Sequence, residues 1–144
     1  MVLNPAPAAA IPARLLAALD LITPNETEAE AITGIRIADR RTADEAARRL
    51  AATGAKQVVI TLGAQGALVY EAGQSRIVEG YPVRAVDTTA AGDVFNGALV
   101  VALAEGKPLE EAARFACKAA AISVTHPGAQ GSIPTRAEVE AFDR

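Results

Sequence analysis

The segment Gln57–Thr61 limits the folds open to this chain more than any other feature. Its sequence, QVVIT, is largely β-branched and apolar, which predicts a strand buried on both faces. Helical patterns flank it along the chain, one from residue 42 to about 53 and another from 91 to about 105. Because strands alternate with helices, we expect an α/β fold in which a mostly parallel sheet has helices on both faces.

Shorter patterns predict the remaining elements. Strands are expected at 2–3, 21–23, 67–70, 75–78 and 83–86, and further helices at 27–33 and from 108 to about 125. Capping boxes at 42–45 and 135–138 predict the first turns of two helices. The helices that begin near Ala91 and Pro108 are so apolar that both need cover, which is demanding for a chain of 144 residues.

The composition excludes several classes of protein. Acidic residues outnumber basic ones by 17 to 14, which argues against general nucleic-acid binding. A single cysteine cannot supply a disulfide framework or a multi-cysteine zinc site. The sequence contains no run of 18 or more uncharged apolar residues, so no membrane span is predicted. The first twenty residues do not have the pattern of a signal peptide. We therefore expect a soluble, cytoplasmic protein without membrane or nucleic-acid partners.

The most informative motif for function is VDTTAAGD at residues 86–93. It predicts the end of a strand, a tight turn of small residues and the first turn of a helix. The first amides of a helix lack intrahelical acceptors and lie at the positive end of the helix dipole, so they suit a transferring phosphoryl group. Asp93 could accept a proton there from an attacking hydroxyl. The structural alternative is that Asp93 merely caps the helix.

Extended to VDTTAAGDVFNGAL, this motif resembles the C-terminal signature of the ribokinase-like (PfkB-type) carbohydrate kinases. Four more motifs occur in the family's order and at about its spacings: NPAP at 4–7, TPNETEA at 23–29, TLG followed by a glycine at 61–66, and GAQ followed by serine and proline at 128–134. The resemblance extends from Val2 to Phe142. It implies a single domain over residues 1–144, the C-terminal, ATP-binding half of a sugar kinase with a ribokinase-like fold.

The resemblance implies how the phosphate site works. Asp93 matches the family's catalytic base, which takes the proton from the sugar hydroxyl that attacks the γ-phosphate of ATP. The backbone amides of Ala90, Ala91, Gly92 and Asp93 match the family's anion hole. Many relatives have GAGD where this chain has AAGD, so the first residue of the hole is an alanine here.

Two further segments match nucleotide-binding positions of the family. Asn25 and Glu28 match an N-x-x-E motif that arranges Mg²⁺ and phosphates, mostly through water; the alternative is that they cap and begin a helix. Thr61, Gly63 and Gly66 match a loop that lies along ATP; the alternative is a tight turn between two elements.

The last implied positions concern the adenine and a monovalent cation, typically K⁺. Cys117 lies where the family often places a side chain beside the adenine, although a small core residue explains it equally well. The positions that match the cation site are Asp87, Thr89, Ser123, His126, Gly128 and Ser132. For His126, an exposed histidine without a catalytic role is the default expectation.

The part of the family pattern that this chain lacks is the N-terminal half, with its sugar-binding residues and a small β-sheet lid. The implied activity is ATP-dependent phosphorylation of D-ribose at the 5-hydroxyl, with fructose, 2-keto-3-deoxygluconate or a nucleoside as alternative substrates. Two other hypotheses are a non-catalytic nucleotide-binding module and a fragment that does not fold alone. Since the missing half would leave apolar faces open, we expect a homo-oligomer or self-association through exposed apolar surface.

Overall fold

The computed structural model describes residues 1–142, and the chain divides into two compact units. Unit 1 comprises Met1–Leu62 and Ala67–Ile77, whereas unit 2 comprises Gly63–Gly66 and the chain from Val78 onward. The strands are β1 (Val2–Leu3), β2 (Leu21–Ile22), β3 (Gln57–Thr61), β4 (Gly66–Glu71) and β5 (Gln74–Glu79). The helices are α1 (Ala13–Ala18), α2 (Glu26–Thr33), α3 (Arg40–Ala52), α4 (Ala91–Ala104), α5 (Leu109–Ser123) and α6 (Arg136–Ala141).

The five strands form one mixed sheet in which their spatial order is the order along the chain. Strands β1, β2 and β3 are parallel, and β4 runs antiparallel to β3. A two-residue turn with positive φ angles at Ala72 (52°) and Gly73 (79°) joins β4 to β5. The predicted α/β fold is therefore confirmed, with parallel strands in the first part of the sheet.

The core of unit 1 lies between one face of the sheet and helices α1, α2 and α3. Val58 and Ile60 pack there with Leu19 and Leu50, and all four side chains are fully buried. Val59, which points to the opposite face of the sheet, is fully buried as well. Strand β3 is thus buried on both faces, as its sequence predicts.

Unit 2 is built on the two apolar helices, α4 and α5, which pack along each other. Leu99 of α4 and Ala116 of α5 are fully buried. The short helix α6 completes the unit because Val139 packs against Val94 and Ala119. Among residues 1–142, none of the helices is both long and apolar enough to cross a membrane.

Two predictions of local structure are wrong. Helix α3 begins one turn before the predicted capping box, because Asp39 is its N-cap: the Asp39 carboxylate accepts the Thr42 N–H at 2.8 Å, and the Thr42 hydroxyl accepts the Asp39 N–H at 3.0 Å. The predicted strand at 83–86 is irregular backbone, since the Val86 N–H donates to the carbonyl of Val124, in the turn after α5, at 2.7 Å.

Candidate functional site

The N-terminus of α4 begins at Ala90, a non-glycine residue in the left-handed region with φ of 60°. The Ala91 N–H donates to the Thr88 carbonyl at 3.2 Å, and the next two amides belong to Gly92 and Asp93. Among residues 1–142, neither of these two N–H groups has a backbone or side-chain acceptor. Two adjacent donors at the positive end of a 14-residue helix therefore remain free for an anion.

The side chain of Asp93 lies beside these donors and does not cap the helix. Ala90 occupies the N-cap position, where it has no side chain able to accept a hydrogen bond, and Asp93 lies in the first turn. Its carboxylate is exposed. The structural alternative for Asp93, a capping residue, is thus wrong, and its carboxylate is available as a proton acceptor.

A carboxylate clamp holds the turn that precedes α4. Asp87 accepts hydrogen bonds from the Thr89 hydroxyl and from the Thr89 N–H at 2.9 Å, and its other oxygen accepts the Gly128 N–H at 2.9 Å. The Thr89 hydroxyl, followed by the Gly128 and Thr89 amides, lowers the pKa of Asp87 from 3.8 to about 2. Asp87 therefore remains ionised near neutral pH and connects the turn to the loop after α5.

The other residues matched to the cation site lie along that loop. The hydroxyls of Ser123 and Ser132 are buried, and each donates locally, to the Ala120 carbonyl at 2.8 Å and to the Ala129 carbonyl at 2.7 Å. His126 is exposed, with its Nδ1 3.1 Å from the carbonyl oxygen of Ile122. The structure thus brings Asp87, Thr89 and Gly128 into contact, while the serine hydroxyls and His126 bond within their own turns.

In unit 1, Asn25 and Glu28 form a complete capping box at the start of α2. Asn25 Oδ1 accepts the Glu28 N–H and Glu28 Oε2 accepts the Asn25 N–H, each at 2.8 Å. Asn25 also forms an isolated parallel bridge with Thr61. Because β2 and β3 are parallel, their carboxyl ends meet at one edge, and this places Asn25 and Thr61 side by side.

The two glycines of the loop after β3 have different environments. Gly66 has φ of +101°, and a Cβ there would lie 2.0 Å from the Val78 carbonyl oxygen, so its absence of a side chain is a packing requirement. Gly63 also has a positive φ, +58°, but no atom lies within 4 Å of the position that its Cβ would occupy. Gly63 is the position of the two that leaves backbone open to a ligand.

Cys117 packs inside unit 2. Its side chain is 6% exposed, and burial raises the pKa of its thiol to about 12. The thiol is therefore neutral, and its environment is that of the small core residue considered from the sequence.

An open groove of about 440 Å³ lies beside Asp93 in unit 2, and the sequence did not predict it. Helices α4, α5 and α6 and the loop at 129–134 line it. Its wall is mostly apolar, with Val94, Val101, Phe115 and Ile133 among the lining residues. The only sequence signal for the groove was the apolar character of the two long helices, which did not show the face left open.

The site residues fall into two groups. Unit 1 holds Asn25, Glu28 and Thr61, and the remaining predicted residues lie in unit 2. No group of three or more His, Cys, Asp or Glu side chains within residues 1–142 is arranged to hold a metal ion directly. Any cation at these residues would therefore be held by backbone carbonyls, hydroxyls or water as well as by a carboxylate.

Comparison with known proteins gives a consistent result. Residues 1–136 match the family model described as pfkB family carbohydrate kinase. The chain is 55% identical over 142 residues to a ribokinase of Haemophilus influenzae, covering 99% of this chain and 46% of that protein. It is 36% identical to a deoxyribokinase of Salmonella typhi, again covering 99% of this chain and 46% of the relative.

A solved structure has a similar fold. The structure of Arabidopsis thaliana ribokinase complexed with ribose and ATP superposes with a TM-score of 0.92 at 35% identity, covering 99% of this chain and 47% of that one. The chain thus spans about half the length of the curated relatives and of the solved structure that it matches.

Proposed function

Since this chain belongs to the pfkB family of carbohydrate kinases, we propose that it is the ATP-binding half of a ribokinase. In this proposal the complete enzyme transfers the γ-phosphoryl group of ATP to the 5-hydroxyl of D-ribose. One observation carries the proposal: the exposed carboxylate of Asp93, which does not cap α4, lies beside two free backbone N–H groups at the N-terminus of that helix. Phosphoryl transfer to a hydroxyl requires a proton acceptor and, beside it, fixed hydrogen-bond donors that stabilise the negative charge of the phosphoryl group.

The residues of unit 2 would act as follows. The Asp93 carboxylate takes the proton of the ribose 5-hydroxyl. At the same time the hydroxyl oxygen of the sugar forms a bond to the γ-phosphorus of ATP, and the bond from that phosphorus to the oxygen of the β-phosphate breaks, which releases ADP. The N–H groups of Gly92 and Asp93 stabilise the negative charge that accumulates on the transferring group. The Asp87 clamp holds the preceding turn, so these donors need no rearrangement during the reaction.

The metal ions would be held at separate residues. Mg²⁺ supplies charge neutralisation for the phosphates, and Glu28 would contact it through water because Glu28 Oε2 already accepts the Asn25 N–H. The ionised Asp87, Thr89 and the loop at 123–132 would surround K⁺, with backbone carbonyls as the main ligands. Thr61 and Gly63 would lie along the nucleotide, since the backbone at Gly63 is open to contact.

The test is ADP release with ATP, Mg²⁺ and K⁺, with and without D-ribose, by a chimaera in which this chain replaces the matched part of its Haemophilus influenzae relative, because the rest of that relative supplies the half that this chain lacks. We expect ribose-dependent release that falls by about 10²- to 10⁴-fold in Asp93→Asn, the usual contribution of a general base. Glu30→Gln, which removes an exposed carboxylate from α2, serves as the control and should leave the rate unchanged. Ribose-dependent release that Asp93→Asn leaves intact contradicts the proposed role of this residue.

Two alternatives have specific support. The deoxyribokinase similarity favours a related sugar, and 2-deoxyribose in place of ribose in the same assay distinguishes the two substrates. The half-length match and the open groove favour a nucleotide-binding module that is inactive alone. In that case ATP raises the melting temperature of the chain, whereas no sugar stimulates ADP release.

A further inference from the structure

Asn96 makes a side-chain hydrogen bond that the proposed mechanism does not use. Its Nδ2 group donates to the carbonyl oxygen of Gly92, four residues earlier in α4, at 2.9 Å. Because a carbonyl oxygen can only accept, the group of Asn96 that faces it must be the NH₂ and not the amide oxygen. The side chain is half-buried, and it is not among those that line the groove beside Asp93.

Helix stability does not account for an asparagine at this position. Asparagine is a weaker helix former than alanine, and hydrogen bonds from its side chain to nearby backbone groups compete with the helix. The carbonyl of Gly92 is also the regular α-helical acceptor for the backbone N–H of Asn96, so the side chain adds a second donor to a carbonyl that the helix already satisfies. The effect of the bond therefore lies in the peptide group that it contacts.

The peptide group that Asn96 contacts is the one that carries the N–H of Asp93. The carbonyl of Gly92 and the N–H of Asp93 belong to a single planar unit, and this N–H is one of the two free donors at the start of α4. Glycine restrains the backbone less than any other residue, so a second hydrogen bond to its carbonyl limits the rotation of this plane. A donor on the carbonyl also polarises the peptide group and strengthens its N–H as a hydrogen-bond donor.

We propose that Asn96 is a positioning residue that, through the carbonyl of Gly92, fixes and polarises the N–H of Asp93 for a phosphoryl group. The proposal rests on the proposed function. The Asn96 side chain reaches the carbonyl end of the peptide group, whereas a phosphoryl group would meet the N–H end, which points out of the N-terminus of the helix. Asn96 thus needs no contact with either substrate, and its loss affects the rate of transfer more than the binding of the sugar.

The test compares two substitutions that differ in whether they keep a donor. Asn96→Ala removes the donor, whereas Asn96→Ser retains one, because a serine hydroxyl in a helix can donate to the carbonyl four residues earlier. In the chimaera with the Haemophilus influenzae relative, we expect Asn96→Ala to lower kcat by about 3- to 10-fold, a fraction of the roughly 10²- to 10³-fold that loss of a complete donor causes. The KM for D-ribose should not change, and Asn96→Ser should keep kcat close to that of the wild type.

Stability and NMR measurements separate positioning from a structural role. Alanine is the stronger helix former, so Asn96→Ala should not lower the melting temperature. The amide ¹⁵N shift of a residue responds to a hydrogen bond on the preceding carbonyl, so the Asp93 signal of the ¹⁵N-labelled chain should move further in Asn96→Ala than in Asn96→Ser. Val100→Ala is the matched control, because Val100 lies one turn further along α4, is 45% exposed and does not line the groove. It should leave both kcat and the Asp93 signal unchanged.

Each outcome decides the proposal. A lower kcat in Asn96→Ala that Asn96→Ser restores, at an undiminished melting temperature, supports it. An equal loss of kcat in both variants, a loss in neither, or a loss that accompanies a lower melting temperature overturns it. If the wild-type chimaera transfers no phosphate, the proposed function fails, and a titration of the ¹⁵N-labelled chain with ATP and Mg²⁺ decides the role of Asn96. An Asp93 signal that responds more weakly in Asn96→Ala than in Asn96→Ser then supports positioning, whereas equal responses overturn it.

Discussion

Two helix N-termini of this protein carry family motifs, and they differ in whether their first backbone N–H groups have hydrogen-bond acceptors. At α2, Asn25 and Glu28 satisfy each other's backbone N–H groups through two hydrogen bonds of 2.8 Å. At α4, Ala90 provides no side-chain cap, and the N–H groups of Gly92 and Asp93 have no acceptor within residues 1–142. The first terminus stabilises its own helix, whereas the second leaves its donors free for a ligand.

The difference shows where stability has been given up. A missing N-cap costs a helix about 1 kcal/mol, and the left-handed conformation costs a non-glycine residue such as Ala90 about as much again. Strain of this kind persists only where the surroundings impose it. Here the Asp87 clamp and the packing of α4 on α5 hold the turn in place.

Removal of the cap at α2 should have the largest effect on stability. Asn25→Ala is expected to lower the free energy of unfolding by about 1 to 2 kcal/mol, because the Glu28 N–H loses its acceptor at a partly buried position. Urea denaturation followed by circular dichroism measures the change. Asn25→Asp, which retains an acceptor oxygen, should stay close to the wild type; an equal loss in both variants would contradict the cap as the cause.

Ala90→Gly should change stability in the opposite direction. Glycine adopts a φ of 60° without steric cost, so we expect the free energy of unfolding to rise by about 1 kcal/mol. Ala91→Gly is the matched control, since Ala91 is the first helical residue and a glycine there should be neutral or destabilising. If both glycine variants lose stability, the turn at Ala90 is not strained.

The stabilising contribution of the Asp87 carboxylate should depend on pH and decrease in acid. Its pKa is lower in the folded protein than the usual 3.8, so its stabilising contribution is fully present above about pH 4 and is lost as the pH falls towards about 2. We expect the difference in melting temperature between the wild type and Asp87→Asn to be largest near neutral pH and to shrink in that acid range. A difference that is constant from pH 6 to pH 2 would show that the carboxylate charge has no part in the clamp.

The smallest effect is expected for Asp93→Asn, measured as stability rather than activity. Since Asp93 makes no capping hydrogen bond, only its attraction to the helix dipole is lost, about 0.5 kcal/mol or less. A loss near that of Asn25→Ala would mean that Asp93 caps α4 after all. A small loss of stability combined with a large loss of activity is the pattern that distinguishes a catalytic carboxylate from a structural one.

The local chemistry of the sequence predicted most of the fold. Strand β3 and the ends of α4 and α5 were predicted to within two residues, because buried β-branched runs and long apolar helices have strong periodic signals. The start of α3 was predicted one turn too late, because the sequence contains two possible capping boxes. The prediction used the one at 42–45, whereas the structure has the one formed by Asp39 and Thr42. Residues 83–86 have strand composition, but no strand within residues 1–142 pairs with them.

The candidate site was predicted less completely than the fold. The residue types at 25, 28, 61 and 87–93 identified the family. The sequence also offered a capping role for Asn25 and Glu28, which the structure has, but it did not show that Asp93 leaves α4 uncapped. The hydrogen bond between Asp87 and Gly128 joins residues 41 apart, so it depends on tertiary structure alone. The same is true of the groove, which three helices and a loop form together.

The central claim is that the N-terminus of α4 is a preformed anion site, and a titration of the ¹⁵N-labelled chain with ATP and Mg²⁺ tests it most directly. The claim predicts that the amide signals of Gly92 and Asp93 shift and saturate together, whereas the amide of Thr42, already bonded to Asp39 at the capped start of α3, stays in place. If the signals of Gly92 and Asp93 remain unchanged while ATP raises the melting temperature of the chain, the nucleotide binds elsewhere and the claim is wrong.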